Sequence, residues 1–136
     1  MATRSTIAIE YENGTVAQIY CHWDGYLEHN GKILNEHYTN VPKIVELIGL
    51  GDLSILGAEI GTECDFEYNR PEGQCLAYGR DRGDTGVGAK YFDNFEDYEK
   101  NHRYEEFEYL FQQHTNSWSV FFDGKWHDLT TVLKSV

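Results

Sequence analysis

The chain predicts an α+β domain with a mainly antiparallel sheet, and three observations carry that prediction. Two short stretches of helical spacing follow an N-terminal hairpin, many short alternating segments fill the remainder, and no strand–helix–strand unit recurs. At 136 residues, 40% of them hydrophobic, the sequence suits a single domain (residues 1–136) with one core.

The elements follow in order. Residues 6–11 and 15–23 form a hairpin around Glu12-Asn13-Gly14, because Asn-Gly supplies the backbone angles of a tight turn. Side chains alternate along a strand, so Ile7, Ile9 and Tyr11 share a face, as do Ala17, Ile19, Cys21 and Trp23. These are assigned to the core. Thr6, Ala8 and Glu10, with Gln18, Tyr20, His22 and Asp24, make the wetter face. Residues 26–38 suit a first helix, with Leu27, Gly31, Leu34 and Tyr38 on one stripe. Gly31 costs about 1 kcal/mol against Ala there, and its return would be close approach to the sheet. Pro42 fits the first turn of a second helix carrying Ile44, Val45 and Ile48, which Gly49 and Gly51 terminate.

Residues 52–57 are expected as a capped single turn that buries Leu53 and Leu56, and 58–73 as an acidic loop. A short strand at 74–79, a glycine-rich loop at 80–88 and a strand at 89–92 come next. Asp93 or Asn94 caps a short helix through Tyr98. Residues 106–111 alternate with Phe107, Tyr109 and Phe111 on one side. A closing hairpin spans 117–122 and 125–127 around Asp123-Gly124, and 129–133 is a helical turn or a last strand.

Charge narrows the function classes. With 23 acidic against 11 basic residues the net charge is -12, which disfavours general affinity for nucleic acid or for anionic membranes. No apolar run approaches the roughly 18 residues of a membrane span. The first residues lead directly into a strand without a signal-like apolar stretch, so the cytoplasm is the expected compartment. Three cysteines (Cys21, Cys64 and Cys75) without paired spacing fit reduced thiols there.

The densest chemistry is Cys21-His22-Trp23-Asp24-Gly25-Tyr26, at the corner where the second strand should turn into the first helix. Neighbours on a strand point to opposite faces, so Cys21 and His22 make a poor nucleophile–base pair and Cys21 is expected as a buried structural thiol. His22 and Asp24 share a face, the arrangement of a carboxylate-oriented general base or of a satisfied histidine at a strand end. Six histidines and three cysteines show no metal-ligand spacing, so neither a metal nor another cofactor is expected. Arg80-Asp81-Arg82-Gly83 is the second candidate. Two guanidinium forks beside glycines can hold phosphate or carboxylate, or can pair with Asp81, Asp84 and nearby glutamates. Arg4, just before the first strand, could join such an anion site. Stacking aromatics such as Trp23 and Tyr26 together with Arg forks would hold a nucleotide-sized ligand.

Residues 3–8 (Thr-Arg-Ser-Thr-Ile-Ala), 20–26 (Tyr-Cys-His-Trp-Asp-Gly-Tyr), 50–54 (Leu-Gly-Asp-Leu-Ser) and 78–83 (Tyr-Gly-Arg-Asp-Arg-Gly) together resemble a family of small proteins of tailed bacteriophages and their prophages. The similarity covers roughly the first two-thirds of the chain and, loosely, residues 105–111. It implies a phage accessory protein acting in the host cytoplasm, a class in which many members counter host defence; it assigns no catalytic residue. The expected function is therefore binding without turnover, either of an anionic nucleotide-like signal or of a host defence protein. His22, Trp23, Asp24, Tyr26, Arg80, Arg82 and Arg4 are the expected ligand-binding residues. A homo-oligomer is also expected, since ligand-sequestering proteins often build pockets at subunit interfaces. Two alternatives stand beside this. One is a small hydrolase of a phosphate-containing substrate with His22 and Asp24 as acid–base groups. The other is an acidic DNA mimic built on Glu96, Asp97, Glu99, Glu105, Glu106 and Glu108.

Overall fold

The hairpin that opens the chain becomes the centre of an eight-stranded mixed sheet. Strand β1 (Ser5–Glu10) pairs antiparallel with β2 (Val16–Cys21) in the register Ser5 to Cys21, and parallel with β6 (Phe107–Gln112). The computed structural model describes residues 2–67, 70–102 and 104–136. From one edge the strand order is β4 (Leu76–Ala77), β3 (Leu53–Ile55), β2, β1, β6, β7 (Ser117–Phe122) and β8 (Lys125–Asp128). Strand β5 (Lys90–Phe92) lies off this path and pairs antiparallel with β2. The expected α+β class, with mostly antiparallel pairing, is the observed one; the parallel contacts are β1 with β6 and β2 with β3.

One face carries the main core. Ile7, Ile9, Ala17, Ile19 and Cys21 meet Tyr109, Phe111, Trp118 and Val120 in a single buried cluster with residues of the helices. A π-helical turn (Leu27–Gly31) runs into α1 (Lys32–His37), and α2 (Val41–Gly49) follows, its first turn capped by the Asn40 side chain and opened by Pro42. Gly31 makes the close approach expected of it: a Cβ there would lie 3.2 Å from the Tyr109 hydroxyl. Tyr38 is fully buried, its hydroxyl donating to the Gly57 carbonyl while the Trp118 indole donates to the Tyr38 carbonyl. Helix α5 (Leu129–Leu133), capped by Asp128, closes this layer and resolves the choice left open at the end of the chain.

The other face departs from expectation. Thr6, Ala8 and Gln18 are buried rather than wet. Helix α4 (Phe95–Asn101) covers them, capped by Asn94 and placing Tyr98 against Ala8, Val16 and Leu110, with Phe92, Phe95 and Trp126 around the edge. Being central in the sheet and covered on both sides, β1 is buried from Ser5 to Ile9.

Two local expectations are also corrected. Residues 53–55 form β3 rather than a helical turn, because the Leu53 carbonyl accepts from the His22 N–H and Leu53 pairs with both Cys21 and Ala77. Leu53 and Leu56 are nonetheless buried. The segment Tyr78–Arg82 is a short helix, α3, ended by Gly83 at a left-handed φ of 80°, and not the start of an open loop. The acidic stretch 58–73 is irregular apart from a bridge between Glu59 and Gln74; residues 68 and 69 lie outside the described set. No helix among the described residues is long and apolar enough to cross a membrane.

Candidate functional site

The corner at residues 21–26 is built to be rigid. His22 and Trp23 extend the pairing with β3, their N–H groups donating to Leu53 and Ser54 carbonyls. The chain then turns at Asp24, whose φ of 58° lies in the left-handed region that Asp tolerates better than most residues. Gly25 is needed for space: a Cβ there would sit 2.7 Å from Ser5 Cβ. Beneath the turn, Tyr109 donates to the Gly25 carbonyl, and buried Asn30 donates toward Ser5 Oγ, Cys21 Sγ and the Trp23 carbonyl. Trp23 (41% exposed) and Tyr26 (38%) point outward from this frame.

His22 and Asp24, the alternative acid–base pair, share no hydrogen bond among the described residues. His22 Nδ1 sits 2.7 Å from the Tyr20 hydroxyl, and the ring packs edge-on against Trp23. The reversed φ at Asp24 breaks the strand alternation that would have aligned its carboxylate with His22. Cys21 is the buried structural thiol expected; burial, against the Asn30 hydrogen bond, pushes it up to about 12.

At the twin-arginine turn the structure shows the pairing with Asp81 and Asp84, one of the two arrangements expected. Arg80 donates to Asp81 through Nε and Nη2, to the Ile60 carbonyl through Nη1 and to the Cys75 carbonyl through Nη2. Asp81 in turn accepts from the Cys64 and Ala77 N–H groups. Burial acts to raise the Asp81 carboxyl, but Arg80 and the two amides outweigh it and hold it below its ordinary value. Arg82 forks onto Asp84 through Nε and Nη2 and lies over the rings of Phe66 and Tyr78. Both guanidiniums are therefore engaged within the fold, Arg80 as a strap between the irregular segment and β4. Strand β3 separates them from the corner, since Leu53 pairs with Cys21 on one side and with Ala77 on the other. Arg4 is exposed and lies by the corner instead, the preceding Thr3 carbonyl accepting from the Gly25 N–H.

A concavity lies elsewhere. The outer edge of β2 is paired with β5 at residues 16–18 and with β3 only at Cys21, and a cleft of about 500 Å³ opens along the stretch between. Its walls are Tyr20, Tyr91 and Phe92, with Ile19 between. The Tyr20 N–H there is satisfied by the Asp52 carboxylate at 3.0 Å. Thr6, Gln18, Asn101 and His102 complete the lining with Lys90.

His102 reaches the cleft from a buried network. Its Nδ1–H donates to the Tyr98 carbonyl, its Nε2 is hydrogen-bonded to the Glu108 carboxyl, and the ring stacks on Tyr98 at 4.2 Å. Thr6 lies opposite Tyr20 on β2 and Glu108 on β6. Burial, followed by the nearby Glu108 charge, raises the Tyr98 phenol well above its ordinary value.

Sequence reading placed none of these residues in a site. Their segments lie far apart in the chain, and strand alternation assigns Thr6 and Gln18 to a wetter face. The only signal was that face itself, polar at Thr6, Gln18 and Tyr20 on paired strands. Among the described residues no cluster of three His, Cys, Asp or Glu side chains could hold a metal ion. Compared with protein-family models, with curated proteins and with solved structures, the chain shows no significant match. The phage resemblance thus rests on its motifs alone.

Proposed function

We propose that the protein is a binding protein that sequesters a nucleotide-like small molecule without turning it over, as a counter-defence accessory protein of a bacteriophage in the host cytoplasm. The observation that carries the binding reading is the cleft beside β2. Its volume of about 500 Å³ falls within the range of roughly 300–1,000 Å³ typical of small-molecule sites, and aromatic walls with a few polar groups are the usual lining. The absence of turnover is supported by the engaged candidates: His22 on Tyr20, both His102 nitrogens in hydrogen bonds, and Cys21 held protonated by burial. The phage and counter-defence parts derive from the sequence motifs. The test is a thermal-shift panel of nucleosides, cyclic nucleotides and ADP-ribose derivatives, followed by heat release and mass spectrometry. A stabilising ligand recovered intact agrees with this reading. A chemically altered ligand would instead establish an enzyme.

A second reading, blockade of a host immune protein, is favoured by the outward Trp23 and Tyr26 on their rigid corner, since such aromatics are common interface anchors. A Trp23→Ala, Tyr26→Ala double variant would then lose its protein partner while keeping the cleft ligand.

A further inference from the structure

We infer that the open edge of β8 is a docking strip for an extended, basic segment of a partner protein, which joins the sheet as a further strand. This surface is separate from the cleft and from the Trp23–Tyr26 corner, and the inference rests on neither. Among the described residues β4, β5 and β8 each pair with one strand alone. The fold closes the β4 edge itself: the Asp81 carboxylate accepts from the Ala77 N–H, and Arg80 donates to the Cys75 carbonyl. Strand β8, the longest of these, is left open.

The hairpin geometry identifies the open groups. Asp123 and Gly124 both have left-handed φ, 53° and 82°, so their two-residue turn makes Phe122 and Lys125 a hydrogen-bonded pair. Alternation then turns the Trp126 N–H, the Trp126 carbonyl and the Asp128 N–H away from β7. No backbone group outside β7 pairs with them among the described residues. Such an unpaired row is a template for another chain, whose main-chain bonds supply affinity while its alternate side chains supply specificity.

The flanks describe the occupant. Trp126 packs against Phe95 and Phe121 on one face of the sheet, and His127 stacks on Phe122 on the other. Side chains on either face of an added strand therefore meet ring surface. Exposed Asp123 and Asp128 border the strip, as does Glu99, which accepts from the Trp126 indole; Lys125 is the one cation of the strand and its turn. A segment bearing Lys or Arg complements that border and the net charge of -12, whereas a second copy of this chain brings like charge to it.

Octapeptides that alternate Lys or Arg with Val, Thr or Tyr, titrated into the full chain by calorimetry and amide NMR, test this. The basic peptides are expected to bind, to shift resonances at residues 125–128 and to slow hydrogen exchange at the Trp126 amide. Two controls are each expected to bind at least about tenfold more weakly. One replaces Lys and Arg by Glu and so loses the charge match. The other is N-methylated throughout, which keeps the charge and removes the main-chain donors. Equal binding of parent and N-methylated peptides, shifts centred elsewhere, or no binding by any peptide overturns the inference. A chain that sediments as a dimer with its Trp126 amide already protected overturns it as well, by giving the edge to a second copy. None of these outcomes bears on ligand binding in the cleft.

Discussion

At the scale of single residues, buried polar groups explain more of this molecule than its exposed charges do. His102 and Glu108 satisfy one another inside the sheet's second face. Removing one partner of such a pair leaves the other buried and unpaired, so Glu108→Ala is expected to cost about 3–5 kcal/mol in urea unfolding. A loss below about 1 kcal/mol would mean that the pair is hydrated rather than buried. Asn30 does similar service under the corner, where one amide serves Ser5, Cys21 and the Trp23 carbonyl. The sequence did not reveal either group. A histidine and a glutamate six positions apart, or an asparagine in a helix, look solvated until the fold covers them.

At the scale of elements, local pattern was legible wherever the partner was local. The hairpins of β1 with β2 and β7 with β8, the Pro42 start of α2, the Asn94 cap and the Gly31 contact followed from spacing and turn chemistry. Where a distant segment decided the outcome, local pattern misled. Leu53 and Leu56 have the spacing of a helical turn, but the free edges of β2 and β4 recruit residues 53–55 as a strand. The arginine turn resembled an anion cradle because the Ile60 and Cys75 carbonyls that occupy Arg80 come from other segments. The two arginines should therefore respond differently. Arg80→Met is expected to destabilise the protein by about 2 kcal/mol or more, as several carbonyl and carboxylate partners lose their donor. Arg82→Met, at an exposed pair, should leave the melting temperature nearly unchanged; equal effects would contradict the strap assigned to Arg80. Gly25→Ala should also lower the melting temperature, since its new methyl meets fully buried Ser5 on β1.

For the whole molecule, the main core makes alkaline pH the vulnerable side. Burial, set against the Asn30 hydrogen bond, raises Cys21 from 9.0 to about 12, and burial likewise raises Cys75 and the Tyr38 and Tyr109 phenols. An acid whose pKa is higher when folded contributes stability fully below its unfolded value and loses it as pH rises toward the folded one. Stability is thus expected to hold up to about pH 9 and to fall progressively toward about pH 12, and Cys21→Ala should flatten that fall relative to wild type. The fold class itself was readable because period-two segments without strand–helix–strand repeats leave few architectures. The cleft was not, because it exists only where β2 runs between its partners β5 and β3, under a helix contributed ninety residues away from β1. Amide chemical-shift mapping with adenosine or another thermally stabilising nucleoside tests the central claim most directly. Perturbations are expected to concentrate at residues 6, 18–20, 52, 90–92 and 101–102; perturbations confined to residues 22–26 and 80–84 would contradict it.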